Sequence, residues 1–240
     1  MNESKKKPQK IINLPETTVP QKPLTVREME KNSRRRVAEI SEEFRKGFSF
    51  IKHHPKSITL FGSARFDENN PYYQKARRIA KSISKLGYAV VTGGGPGIME
   101  AGNRGALEGD GNEHSIGICI RLPHEQITNP YVTDGLEFKY FFSRKVILSF
   151  SAEAYVYFPG GFGTIDEFFE ILTLVQTGKI EKVPIVLVGV EYWKPLDQFI
   201  QKTLLEKFKT INEKDMDLYT ITDDEDVVLD IVKKAPLRQE

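Results

Sequence analysis

The chain has 240 residues, 39% of them hydrophobic and 28% charged, with a net charge of +2; this suits one α/β domain with an extra arm and excludes a disordered or fibrous chain. Its single cysteine, Cys119, excludes an internal disulfide and a multi-thiolate metal site, and a reducing, cytoplasmic compartment is expected. No apolar run approaches the roughly 20 residues of a membrane span, and no apolar segment follows the lysines behind Met1, so neither a membrane partner nor a secretory signal is expected.

The charge is unevenly spread. Residues 1–56 carry 14 Lys and Arg against 7 Asp and Glu, and the remainder carries 21 against 26. The basic arm can meet an anion, or the acidic body of its own or a neighbouring subunit. No aromatic pattern accompanies its charges, so nucleic acid is not expected as a partner.

Pro8, Pro15, Pro20 and Pro23 among lysines make residues 1–23 read as a flexible arm. Thr25-Val26-Arg27-Glu28 is a capping box, a hydroxyl followed three residues on by a carboxylate. It predicts a helix over 25–51, with Val37, Ile40, Phe44, Phe48 and Ile51 at spacings of three and four. Residues 1–56 are thus an arm and accessory helix, and 57–240 the main domain. There, short apolar runs alternate with helical patterns. Strands are expected at 58–61, 88–92, 115–121, 136–140, 153–158, 183–188 and 219–222. Helices are expected at 71–86 (Asn70 as cap), 98–107, 143–150, 164–176, 193–208 and 223–233. This order predicts a Rossmann-like, doubly wound α/β fold, a mostly parallel sheet with an N-terminal helical extension. Cys119 falls in the alternation of a strand and reads as a buried, inert thiol.

Two glycine loops fall at carboxyl ends of predicted strands, where ligands bind in such folds. The first is Gly93-Gly94-Gly95-Pro96-Gly97. It fits the dinucleotide fingerprint G-x-G-x-x-G in neither frame, because the sixth residue is Ile98 or Glu100. No Gly-Lys-Ser/Thr phosphate loop occurs. The second is Pro159-Gly160-Gly161-Phe162-Gly163-Thr164-Ile165-Asp166-Glu167. The bare amides of Gly160, Gly161 and Gly163 with the Thr164 hydroxyl can hold a phosphate at the start of a helix. Asp166, Glu167 and Glu170 gather at that helix start, and crowding or burial there could raise one carboxyl into the range of a general base. Arg144 and Lys145 stand at another helix start, where the dipole disfavours cations, so a bound anion or a nearby carboxylate must offset them. The four histidines show no metal-ligand spacing, and no metal or cofactor is expected; nothing resembles a pyridoxal phosphate site.

Together, 93–101 (GGGPGIMEA), 143–145 (SRK) and 159–167 (PGGFGTIDE) resemble the Lonely Guy family of cytokinin-activating phosphoribohydrolases, whose members were often labelled lysine decarboxylases. The family signature PGGxGTxxE is matched in full at 159–167, and the resemblance spans roughly 57–235. It implies hydrolysis of the N-glycosidic bond of a nucleoside 5′-monophosphate, giving a free base and ribose 5-phosphate. It implies Glu167 and Arg144 as catalytic residues and Gly160, Gly161, Gly163 and Thr164 as the phosphate loop. It further implies Gly94, Gly95 and Met99 as the first nucleotide-binding loop and Ser63 as the serine after the first strand; Lys145 and Glu170, beside these motifs, are expected as substrate- or phosphate-binding residues too. A homodimer or higher homo-oligomer is implied as well. The chain reads Met99-Glu100 where members acting on cytokinin nucleotides read Met-Gly, and Phe141-Phe142-Ser143 where they read Met-His-Glu. Residues 122–126 and 129–131, with the basic arm, also resemble a larger bacterial subgroup. AMP and an isopentenyl-adenine nucleotide both remain open as substrates, and a non-hydrolysing nucleotide carrier of the same fold is the competing reading.

Overall fold

A computed structural model describes residues 23–110, 114–121 and 128–238. The stretch 1–22, with most of the proposed arm, and the subgroup-like stretch 122–126 lie outside the described residues. The chain divides into two compact units between Ala38 and Glu39.

Helix α1 (Val26–Ile51) opens as its capping box requires. The Glu28 amide donates to Thr25 Oγ1 at 3.3 Å, and the Thr25 amide donates back to the Glu28 carboxylate at 2.8 Å. Strands β1 (Ser57–Phe61), β2 (Ala89–Thr92), β3 (Ser115–Ile120), β4 (Asp134–Phe138), β5 (Ala154–Tyr157), β6 (Ile185–Val188) and β7 (Thr220–Thr222) form one sheet. Every pairing is parallel, and the order is β4-β3-β2-β1-β5-β6-β7.

The helices between them are α2 (Pro71–Lys85), α3 (Ile98–Asp110), α4 (Phe141–Ser149), α5 (Phe162–Gln176), α6 (Val190–Phe199) and α7 (Glu225–Lys233). Successive strand residues point to opposite faces, so a sheet covered on both sides needs apolar residues at every position. That is what the near-continuous runs of β1, β5 and β6 supply. On one face Ile79, Ile83, Ile98, Val228 and Val232, from α2, α3 and α7, join Ile58, Leu60, Val90, Val156 and Val186. On the other, Ile147, Phe168, Ile171 and Trp193, from α4, α5 and α6, join Val91, Ile118, Tyr155, Tyr157 and Leu187. Each such side chain, fully buried, contributes roughly 1.5–3 kcal/mol. Trp193 is wholly buried because its indole N–H finds the Val188 carbonyl at 3.1 Å. No helix among the described residues is long and apolar enough to cross a membrane.

Several local details depart from the sequence expectations: β4 and α4 each begin two residues before the expected 136 and 143. Helix α5 starts at Phe162, two residues before Thr164, because extended Gly161 serves as its N-cap without offering a side chain. Helix α6 starts at Val190 and is prolonged by a π-helical stretch, Ile200–Lys207. A 3-10 turn at Glu213–Leu218 carries no apolar periodicity; a reciprocal Asn212–Asp215 cap defines it. Cys119 is half-buried rather than buried, since it lies near the end of β3 beside the glycine loop rather than in the sheet centre, and partial burial pushes its thiol pKa up.

The sheet order fixes where a ligand can sit. The chain winds outward from β1 to β4, then returns to the other side of β1 as β5. The connections leaving β1 and β5 diverge to opposite faces of the sheet and open a crevice between them, the switch point at which open parallel sheets bind ligands.

Candidate active site

A cleft of about 730 Å³ occupies that crevice. One wall is the segment after β1, including Ser63, Arg65 and Phe66; the other is the segment after β5, including Gly160, Gly163 and Thr164. Met99, Arg144, Glu167 and Tyr192 complete it.

The wall after β5 is built to expose backbone amides. With Gly161 at the N-cap, no side chain caps α5, and the first intrahelical acceptor used is the Gly161 carbonyl, by the Ile165 amide at 3.1 Å. The amides of Phe162, Gly163 and Thr164 precede that bond and have no intrahelical partner. An ideal Cβ placed on Gly161 or Gly163 meets nothing within 4 Å, so these positions are open. One on Gly160 would strike the Thr164 side chain, which folds over it. Amides, hydroxyl and helix dipole together form an anion site. Tyr192 holds this loop from α6: its hydroxyl donates to the Gly160 carbonyl at 2.7 Å. Ser63 ties the two walls, its amide donating to the Pro159 carbonyl at 3.0 Å.

Glu167 lies one turn inside α5, and Arg144 sits in the first turn of α4. They meet across the floor of the cleft, Arg144 Nη1 standing 3.6 Å from Glu167 Oε1. Only 8% of Glu167 and 9% of Arg144 is exposed. Burial pushes the Glu167 carboxyl up to about 7, and the opposing pull of Arg144 and Lys145 does not cancel it. Burial likewise lowers the Arg144 guanidinium. Arg144 is oriented by its Nε–H, which donates to the Ile118 carbonyl at 2.8 Å. A carboxyl titrating near neutrality, beside a fixed guanidinium and an anion site, can take a proton from water or steady a developing positive charge.

The remaining expected residues divide. Ser63 and Met99 line the cleft with the phosphate loop. Gly94 and Gly95 do not; they are buried beneath it and their carbonyls are spent internally, on the Asn129 amide at 2.8 Å and Asn129 Nδ2 at 2.9 Å. Lys145 turns away, pairing with Asp166 at 2.8 Å and Glu170 at 3.1 Å. Burial would lower Lys145, but those two carboxylates carry its pKa above the usual value. Neighbouring carboxylates therefore offset both cations of α4. Among the described residues no group of three His, Cys, Asp or Glu side chains could hold a metal.

Sequence reasoning missed three contributors. Arg65 and Tyr192 line the cleft from segments without a motif. Asn103 is the hub beneath the first loop: its side chain accepts from Thr92 at 2.6 Å and from Asn129 at 2.9 Å, and donates to Ser115 at 3.0 Å. Apolar-polar-apolar spacing on α3 would have placed Asn103 inward, and a buried amide must be satisfied.

Fold and cleft together define a doubly wound α/β protein with an anion-binding cleft at its switch point and a buried Arg–Glu pair on the cleft floor. The model of the family described as possible lysine decarboxylase matches residues 99–232. The chain belongs to that family, the Lonely Guy family of the sequence resemblance. It is 29% identical over 162 residues to the cytokinin riboside 5′-monophosphate phosphoribohydrolase of Rhodococcoides fascians, covering 65% of this chain and 79% of that one. It is 27% identical over 164 residues to the pyrimidine/purine nucleotide 5′-monophosphate nucleosidase of Escherichia coli K12, covering 63% of this chain and 36% of that protein. Both names describe hydrolases of N-glycosyl bonds. The molybdenum cofactor carrier protein of Chlamydomonas reinhardtii shares the fold, with a TM-score of 0.54 at 23% identity over 75% of this chain and 98% of that one.

Proposed function

We propose that this chain is a nucleoside 5′-monophosphate phosphoribohydrolase that converts AMP, or an adenine nucleotide modified on its base, and water into the free base and ribose 5-phosphate. The observation that carries the reading is the buried Glu167, titrating near 7, set one helical turn behind a loop of free amides. The loop and Ser63 hold the phosphate, and that remote binding fixes the sugar against the carboxylate. The bond from C1′ to the base nitrogen breaks with its electron pair leaving on the base. Glu167 steadies the cation-like sugar and takes a proton from the water whose oxygen bonds to C1′. The departing base regains a proton from solvent or from the protonated Glu167. Arg144, always charged, orients Glu167 and the leaving base rather than supplying a proton.

The test is incubation of the purified protein with AMP, then chromatography for adenine, with Glu167→Gln alongside. Wild type should release adenine and ribose 5-phosphate in equal amounts. The competing reading, a nucleotide carrier, has fold likeness to carrier proteins in its favour. It wins if mononucleotides bind and none, across a panel of bases, loses its base.

A further inference from the structure

Three charged residues line the cleft among the described residues: Arg65, Arg144 and Glu167. Arg144 and Glu167 offset one another across 3.6 Å. That leaves one positive charge without a partner, on Arg65, whose guanidinium makes no hydrogen bond or ion pair with any described residue. The carboxylates beside it in sequence are already taken. Asp67 accepts from the Asn69 amide at 2.9 Å, and Glu68 pairs with Arg104 at 3.2 Å.

The backbone around Arg65 is held. Its amide donates to Ser63 Oγ at 3.1 Å, and the Ser63 carbonyl accepts from the Ile98 amide at 3.0 Å. That turn uses the Ser63 hydroxyl as an acceptor and leaves its proton free to donate. Ser63 is in turn bonded to Pro159 of the opposite wall at 3.0 Å. A hydroxyl donor and a free guanidinium thus stand on one rigid turn facing the amide loop. A phosphomonoester dianion on the amides alone would be matched only by a helix dipole worth about half a charge.

We propose that Arg65 is a substrate-binding residue, closing over the phosphate of the bound nucleotide from the wall opposite the amide loop, with the Ser63 hydroxyl as its companion donor. The proposal rests on the phosphoribohydrolase reading for the identity of the nucleotide, but the contact itself can be tested without turnover. Guanidinium–phosphate pairs are charge-assisted and frequently bidentate, stronger than a neutral hydrogen bond.

The experiment measures ribose 5-phosphate binding by calorimetry, and AMP hydrolysis by base release, for wild type, Arg65→Ala and Arg65→Lys. Arg65 is exposed, so both variants should keep the wild-type melting temperature. Arg65→Ala should weaken ribose 5-phosphate binding and raise KM for AMP by about 10- to 100-fold, with kcat changed far less. Arg65→Lys should fall between, keeping the charge and losing the fork. Adenosine, which lacks the phosphate, should inhibit wild type and Arg65→Ala equally. Unchanged ribose 5-phosphate affinity in Arg65→Ala overturns the proposal. So does an equal loss of adenosine binding, which would place Arg65 on the base. If wild type binds ribose 5-phosphate and releases no base, the reaction reading fails while the calorimetric arm still decides the contact.

Discussion

The two glycine loops begin alike, each at the carboxyl end of a strand and each opening a helix, and the structure uses them in opposite ways. In the loop at 93–97, glycine makes room for the protein itself. A Cβ on Gly93 would meet Arg144 Nη2 and Met99 Sδ at 2.5 and 2.7 Å, and one on Gly97 would enter the backbone of Ser63 and Ala64. In the loop at 160–163, two of the three glycines have nothing within 4 Å. The first loop is a packed joint that brings Arg144 and the Ser63 turn into place; the second is an open cradle. Glycine spacing alone cannot separate the two, because close approach and free access demand the same missing side chain.

The largest effects are expected at Arg144 and Glu167, the pair the two loops serve. Glu167→Gln should lower AMP turnover by about 10²- to 10⁴-fold, the range for loss of a positioned acid–base group. Wild-type kcat should rise through a pH of about 7 as Glu167 ionises. A flat profile, or full activity in the variant, removes Glu167 from the chemistry. Stability should move the other way. A carboxyl near 7 when folded and near 4.5 when unfolded keeps a proton that the unfolded chain gives up between those pH values. Wild-type stability therefore falls across that window and stays lower above it. Glu167→Gln, always neutral, escapes the fall. It should be about 3 kcal/mol more stable than wild type at pH 8 and equal to it at pH 4, as urea melts would show.

Next in size is the joint itself. Gly97 has φ of +72° and backbone against it. Gly97→Ala should cost about 3–5 kcal/mol, combining left-handed strain with overpacking. Chemical denaturation measures it, and a loss under about 1 kcal/mol would mean that the turn relaxes freely. Gly163→Ala should do the reverse. Its Cβ has space, and alanine favours a helix by up to about 1 kcal/mol, so stability should hold or rise. The same methyl crowds the anion, and KM for AMP should rise about 10-fold, a loss of about 1.4 kcal/mol in binding. A variant that lost both stability and affinity would erase the distinction between joint and cradle.

Much of this division was readable locally. The strand and helix alternation and the Asn70 and Thr25 caps each depend on residues a few positions apart, and the order of elements follows that spacing, with some boundaries shifted by two residues. The fates of individual side chains were not local. Asn129 reaches the 93–97 loop across 34 residues to Gly95, and Tyr192 reaches Gly160 across 32. Lys145 pairs with Asp166 and Glu170 where α4 meets α5, a contact no helical period encodes. The start of helix α5 at Phe162 is not legible, because a glycine N-cap carries no side-chain signal.

Tyr192 gives the smallest and most discriminating test. Among the described residues its hydroxyl makes one bond, to the Gly160 carbonyl, while its ring packs edge-on against Trp193 with centroids 4.9 Å apart. Tyr192→Phe keeps the ring contact and removes the bond, a loss of about 1 kcal/mol. The Gly160 carbonyl lies at the edge of the cleft, where water can replace the lost donor, which holds the cost at that level. If the bond serves to hold the cradle, KM for AMP should rise about 5-fold with kcat unchanged, since phosphate anchoring is shared by bound and transition states. A kcat loss beyond about 100-fold would instead make the hydroxyl a participant at the sugar. No change at all would show that the bond from Ser63 to Pro159 is enough to hold the cradle in place.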